Sequence, residues 1–448
     1  MQRDKFSSKF GVIAAAAGSA IGLGNIWKFP YITGKNGGAA FIFVYIICII
    51  LVGTVVMLSE LALGRKSQSN PSGAFKMLKS SSKWKYAGFL AIATSFIILS
   101  FYSITAGWVF SYFCSSITGK LANIAPENLA SHFTNLASNA PVVLFFNLLV
   151  IVTTAFIVIS GIKDGIEKYS KILMPILFVA LVISIIRSVT LDGASKGLEF
   201  LFKPDFSQLT AESVLEALGH SFFTLSLGMG IIITYGSYIE KEENLLSISL
   251  KVIAADTIVA LMAGMVIFPA VFAYGFEPGA GPSLIFITLP AVFQEMPFGS
   301  FFQTLFFLLV GIAAITSTIS LLEVSVSFLT EEFNMNRKKA ILLLSIGLFL
   351  LSIPSTLSFG VWSNVKVFDL NFFDLFDYIA SNIFLPLGGI LICIYVGWIW
   401  SSKNAFKEIS SNGLYPLKGY NLYNITIKYI APTAIFIILL YSTNIINF

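Results

Sequence analysis

The chain has 448 residues, of which 56% are hydrophobic and 11% charged. A soluble domain carries roughly 25% charged residues, so this composition does not cover a water-facing surface. Its 43 Phe, 16 Tyr and 6 Trp need apolar surroundings, which excludes a disordered chain and leaves a polytopic membrane protein.

Eleven apolar stretches have spanning length, near 10–33, 38–64, 85–118, 141–160, 168–189, 212–238, 246–275, 298–330, 338–354, 373–401 and 425–446. Each covers ~30 Å of hydrocarbon as a helix. Runs such as Phe301–Ala314 show none of the in–out alternation of a membrane barrel strand, so an all-α membrane protein is expected. Only Phe10–Ile13 precede the small-residue run Ala14–Ala20, too short for a signal-peptide core, and the first span is expected to be retained. Cys48, Cys114 and Cys393 lie in or at spans and imply neither disulfides nor a cysteine metal site.

The net charge of +5 is distributed by topology. With the N-terminus in the cytoplasm and each span reversing direction, 21 of the 28 Lys and Arg fall inside. The positive-inside rule therefore favours this orientation, with the C-terminus outside. No basic cluster remains for nucleic acid.

Two spans carry glycine clusters at mid-depth. The first reads Gly18-Ser-Ala-Ile-Gly22-Leu-Gly24-Asn25, then Ile26-Trp27-Lys28-Phe29-Pro30, and the sixth reads Thr224-Leu-Ser226-Leu-Gly228-Met229-Gly230. Close helix packing through small residues accounts for Gly18 and Gly22 alone. It does not account for breaks at corresponding places in spans one and six. Five spans separate the starts of these units, and an odd repeat inverts the second in the membrane. Paired broken spans point to a transporter site at the midplane, with half-helix N-termini facing an anionic group and freed carbonyls facing cations. Asp256 lies mid-span, where a carboxylate is costly and indicates function. Thr316-Ser317-Thr318 supplies hydroxyls inside an apolar span, either for an ion or for bonds to preceding carbonyls. A membrane enzyme is disfavoured, because His132 and His220 are the only histidines and no catalytic pair or zinc spacing exists. A channel is disfavoured by the lack of a continuous polar stripe.

The segments Gly18–Pro30 (GSAIGLGNIWKFP), Asn36–Ala39 (NGGA), Glu60–Arg65 (ELALGR) and Phe222–Gly230 (FFTLSLGMG) together resemble the neurotransmitter:sodium symporter family, from Gly11 to about Tyr429. Among bacterial members the chain is most similar to the eleven-span tyrosine/tryptophan-type transporters. The resemblance implies a leucine-transporter-like fold: a 5+5 inverted repeat with helices 1 and 6 broken, plus a peripheral eleventh span. The segments would be a cytoplasmic 1–9, a first half 10–190, an extracellular loop 191–211, a second half 212–401, and 402–448 with the last span. It implies sodium-coupled amino-acid symport into the cell across the inner membrane, with the bilayer, sodium and the amino acid as partners. A homodimer is compatible with it but not specified.

By the same resemblance, a first sodium takes the Ala20 carbonyl, the Asn25 side chain, Thr224, Asp256 and the substrate carboxylate. A second takes carbonyls of Gly18, Ile21 and Ala313 with hydroxyls of Thr316 and Ser317. Many relatives have Asn in place of Asp256 and hold chloride nearby, at positions matching Tyr45, His220, Thr224 and Ala260. Ala260 has no donor and Asp256 supplies the negative charge, so chloride is not expected. His220 is read either as a neutral histidine bonded to a neighbouring helix or as a group titrating with Asp256. Glu60 would accept bonds from unwound backbone in span six, and Glu323 is explained equally well by a water-filled inner vestibule.

The substrate carboxylate would meet the amides of Leu23 and Gly24 and the hydroxyl of Tyr102. Its amino group would meet carbonyls of Ala20, Phe223 and Thr224 and the side chain of Ser226. Ile98, Tyr102, Phe223, Met229, Ser317, Ser320 and Leu321 would wall the side-chain pocket. Flexible Met229 and small Ser320 leave room for an aromatic ring, so tyrosine is expected first, then tryptophan or phenylalanine, with leucine behind. Lys28 and Asp377 match the outer gate pair, with Phe223 as lid. Arg3 and Glu331 match the inner pair, beside Phe6 and Tyr238.

Overall fold

The computed structural model describes residues 4–78, 82–276 and 284–446. The spans are α1 (Lys9–Ala20) and α2 (Gly24–Lys35), α3 (Ala39–Ser67), α4 (Lys85–Ile117), α5 (Ala140–Ile159) and α6 (Ile162–Val189). After these come α7 (Ala211–Thr224) and α8 (Ile231–Gly236), then α9 (Leu245–Ala273), α10 (Gly299–Glu332), α11 (Arg337–Leu357), α12 (Phe372–Ile399) and α13 (Tyr420–Ser442). Among the described residues the only β pairing is an isolated bridge between Val367 and Leu370.

Among the described residues nine helices are long and apolar enough to cross a membrane, and α1 with α2, bent by 50° at their break, makes up to ten. The sixth apolar stretch of the sequence is not among them, because the non-helical residues 225–230 divide it into α7 and the short α8. The fifth span starts earlier than its hydropathy indicates, at Ile162, through a π-helical turn Ile162–Glu167 that carries Lys163, Asp164 and Glu167. Its charge gives that turn the look of a loop. Between spans, the helices Leu129–Ser138 and Ala194–Phe202 and the apolar helix Leu284–Glu295 pack onto the bundle, and their short lengths do not separate them from loops in the sequence.

Local signals explain the helix starts. Ser8 caps α1 by accepting from the Gly11 amide, and Thr210 with Ser213 forms a capping box at α7. Asn244 caps α9 in the same way. The position of the site follows from packing. The most buried span, α10, packs along α4, and α1 packs against α6, α9 and α10. The short α8 lies on the second half of α3, where glycine permits backbone contact: a Cβ on Gly64 would sit 2.0 Å from the Ile233 carbonyl oxygen. Both interrupted helices are thereby held at the centre, with α6 and α13 most open to the surroundings.

Candidate ion and substrate site

The first break is held open by side chains that take the place of helical acceptors. The Gly22 amide donates to Asn25 Oδ1 at 3.0 Å and the Leu23 amide to the Tyr102 hydroxyl at 3.1 Å. In a continuous helix these amides would bond the carbonyls of Gly18 and Ser19, which are therefore released from the ladder. Ser19 O accepts instead from the hydroxyls of Ser317 and Ser226, each at 3.3 Å.

The second break turns on left-handed residues, Ser226 at φ 55°, Gly228 at φ 78° and Gly230 at φ 79°. Gly228 donates its amide to Glu60 Oε1 at 2.8 Å, so the buried carboxylate on α3 supports unwound backbone. The Met229 carbonyl accepts from the Ser95 hydroxyl on α4. Gly228 also packs backbone to backbone against α12: a Cβ there would lie 2.6 Å from the Leu385 carbonyl oxygen.

Between the breaks sits Asp256 of α9, fully buried. Its Oδ1 accepts from Asn25 Nδ2 at 2.7 Å and from the Thr224 hydroxyl at 2.9 Å, and its Oδ2 from the Tyr45 hydroxyl at 3.3 Å. Asn25, Thr224 and Asp256, distant in sequence, thus form one oxygen-rich cluster beside the end of α1. His220 makes no hydrogen bond to a neighbouring helix among the described residues. Its ring is buried against Phe29 and Tyr45, centroids 6.0 and 5.5 Å away, and neither nitrogen has a hydrogen-bond partner among the described residues. Tyr45, rather than His220, reaches Asp256.

A second cluster forms where α1 meets α10. A Cβ on Gly18 would lie 3.3 Å from Met174 Sδ and 3.4 Å from Thr316 Cβ, so the glycine sets the closeness of α1, α6 and α10. The Thr316 hydroxyl donates to the carbonyls of Ile312 and Ala313 at 3.2 and 3.0 Å, and Ser317 to Ala313 at 3.3 Å. Of the two readings left open for these hydroxyls, the bonds to preceding carbonyls are made here. Gly18, Ala313, Thr316 and Ser317 share this contact, with Ile21 at the adjoining break.

Between the two breaks, α4 and α10 lies a small cavity. Ala20, Gly24, Ile98, Tyr102, Phe223, Thr224, Ser226, Met229, Ser317, Ser320 and Leu321 all line it, while Leu23 contributes through its amide on Tyr102. Sequence reasoning missed Ser19, Gly22 and Ile231. Ser19 donates to the Ser320 hydroxyl at 2.7 Å and lies 3.3 Å from that of Ser226, making a hydroxyl chain along one wall. Its place inside the Gly18–Asn25 run was the available signal.

Charged and aromatic residues mark the two ends of this path. Among the described residues Lys28 and Asp377 form no ion pair. The Lys28 ammonium stands 4.7 Å from the centre of the Phe223 ring, and Asp377 accepts from the Ser381 hydroxyl at 2.7 Å. A flexible ammonium takes the aromatic π face that is within its reach. On the inner side Arg3 lies outside the described residues. Glu331 accepts from the Asn70 backbone amide at 2.7 Å, Asn70 Nδ2 at 3.0 Å and the Ser69 hydroxyl at 3.1 Å. Phe6 packs edge-on against Tyr235 and Tyr238. Glu323 is not in a wet vestibule: it is fully buried, paired with Arg337 at 2.5 Å and accepting from the Tyr238 hydroxyl at 2.7 Å.

A helical membrane bundle with two interrupted helices, a buried carboxylate between them and a small cavity alongside defines an ion-coupled secondary transporter. The sequence model of the sodium:neurotransmitter symporter family matches residues 3–135 and 128–448. The sodium-dependent transporter YhdH of Bacillus subtilis (strain 168) is 37% identical over 444 residues, covering 99% of this chain and 98% of that protein. A sodium-dependent transporter of Haemophilus influenzae is 40% identical over 421 residues, 92% of each chain. The crystal structure of MhsT in complex with L-phenylalanine aligns with a TM-score of 0.90 at 44% identity, covering 98% of this chain and 100% of MhsT. The chain belongs to the sodium:neurotransmitter symporter family: it is a sodium-dependent symporter with the leucine-transporter-like fold, a membrane protein and not an enzyme.

Proposed function

We propose that this transporter carries hydrophobic, chiefly aromatic, amino acids into the cell with sodium, by alternating access and without chloride. Tyrosine is the first substrate, then tryptophan or phenylalanine, with aliphatic leucine as the competing reading. The observation that carries the proposal is the convergence of Asn25, Thr224 and Asp256 beside a cavity walled by Ile98, Phe223, Met229 and Leu321. A sodium ion there takes the Asp256 carboxylate, Thr224, the Ala20 carbonyl and Asn25, whose amide oxygen turns inward from Gly22. The amino acid's own carboxylate completes the shell next to the Leu23 amide, which makes ion and substrate binding mutually dependent. A second ion takes the carbonyls of Gly18, Ile21 and Ala313, with Thr316 and Ser317 turning their hydroxyls from the helix to the ion. The phenylalanine bound to MhsT supports an aromatic ligand in so similar a structure. The chain crosses the inner membrane eleven times in this reading, with its N-terminus in the cytoplasm.

Labelled tyrosine binding in sodium, competed by each unlabelled amino acid, tests the substrate order. Phenylalanine and tryptophan should compete strongly and leucine weakly; equal potency of leucine would favour the aliphatic reading. Replacing chloride with gluconate should leave uptake unchanged, because Asp256 supplies the charge and buried Ala260 offers no donor. Collapse of uptake in gluconate would refute chloride independence.

Gly22→Ala should weaken tyrosine binding by about fivefold to 150-fold, the effect of overpacking by about 1–3 kcal/mol. The added Cβ would stand 2.5 Å from Ser317 Oγ and 3.0 Å from the Tyr102 hydroxyl, inside the cavity wall. Equilibrium dialysis against the wild-type protein measures it.

A further inference from the structure

Outside the site described above, α4, α5, α6 and α10 leave a crevice between them, walled by Phe110, Ile157, Leu173, Phe307 and Gly311 among others. Its walls are almost entirely hydrocarbon. Thr153 and Tyr169 are the lining residues with polar side-chain atoms, and the Thr153 hydroxyl already donates to the Leu149 carbonyl at 2.8 Å. Water needs two to four polar partners to fill such a space, so it does not belong here. Leaving the space empty costs the dispersion contacts of every wall.

The mouth of the crevice is continuous with the surface the chain turns to the bilayer. Val152 and Phe156 on α5, and Ile172 and Ile176 on α6, are exposed and adjoin the crevice residues in sequence. Gly311 points the same way. Glycine weakens a helix by about 1 kcal/mol, a cost that close backbone approach offsets at other glycines of this chain. At Gly311 the atoms nearest to an added Cβ would be Val109 Cγ1 at 3.9 Å and Phe110 Cε2 at 4.0 Å, so what it leaves is room.

We propose that one acyl chain of a bilayer lipid occupies this crevice, lying along α10 between Phe307 and Ile315, a rise of about 12 Å. Hydrocarbon is the chemistry that matches the walls, and the bilayer supplies it at the mouth. The occupant restores the missing wall contacts without burying a polar group.

The full chain, reconstituted in phosphatidylethanolamine and phosphatidylglycerol vesicles with a trace of phospholipid bearing a diazirine acyl chain, provides the test. After photolysis, mass spectrometry should find Leu173 and Leu308, partly exposed in the crevice, labelled several-fold above Phe145 and Phe178, which are exposed on α5 and α6. Gly311→Leu, which fills the crevice from its floor, should abolish that enrichment while labelling of Phe145 and Phe178 persists. Leu173→Trp fills it from the opposite wall and should do the same if the first variant does not fold. Even labelling of crevice and open surface, or enrichment that survives both fillings in folded protein, would overturn the proposal.

Discussion

Asp256→Ala is expected to lower sodium-dependent amino-acid binding by about two to four orders of magnitude, the effect of breaking a buried charged cluster by about 3–5 kcal/mol. Alanine removes the acceptor of the Asn25 amide, the Thr224 hydroxyl and the Tyr45 hydroxyl at once. It also removes the negative charge that a bare cation needs between the two breaks. Asp256→Asn keeps the volume and part of the hydrogen bonding, so it should retain the fold while losing most of the sodium dependence. Binding isotherms at several sodium concentrations, with thermal melts of both variants, distinguish lost ligation from lost structure. Sodium-dependent binding of wild-type strength in either variant would remove Asp256 from the ion site.

Gly228→Ala is expected to destabilise the protein by about 2–5 kcal/mol, combining a left-handed backbone cost with overpacking. Gly228 sits at φ 78°, and its added Cβ would meet the Leu385 carbonyl oxygen at 2.6 Å. A Cβ on Gly388 would likewise lie 2.4 Å from the Gly228 oxygen, so α12 and the break meet through bare backbone from both sides. Moving either displaces the Gly228 amide from Glu60, and transport should fall with stability. Gly219→Ala in α7 is the control: its Cβ would find Ile438 Cγ2 at 3.6 Å, ordinary contact, and the variant should melt like wild type. Parallel thermal melts and uptake assays compare the two.

Apolar length and the glycine clusters make most of this fold legible, because spanning length and helix interruption are local properties of a sequence. Gly18–Asn25 and Thr224–Gly230 mark the two breaks where the backbone does unwind. Charge is less legible. Arg65 reads in the sequence as a charge that fixes topology, yet it is fully buried, paired with Glu408 at 2.8 Å and donating to the Glu243 carbonyl. Glu323 with Arg337 is a second such pair. Partners on different helices are chosen by packing, which single-chain patterns do not encode. His220 shows the same limit: its neighbours Phe29 and Tyr45 come from other helices, and they pack it as a ring without a hydrogen-bond partner among the described residues. Ser19 escapes a sequence reading because a small hydroxyl in an alanine-rich helix looks like packing until the facing Ser320 and Ser226 are known.

Sodium driving an aromatic amino acid through the cavity between the breaks is the step on which the rest depends. Uptake of labelled tyrosine into proteoliposomes containing the purified chain, with an inward sodium gradient or with choline in its place, measures that coupling. Tyrosine should accumulate against its own gradient in sodium and not in choline, and the accumulation should collapse when the sodium gradient is dissipated. Equal uptake in choline would contradict sodium coupling.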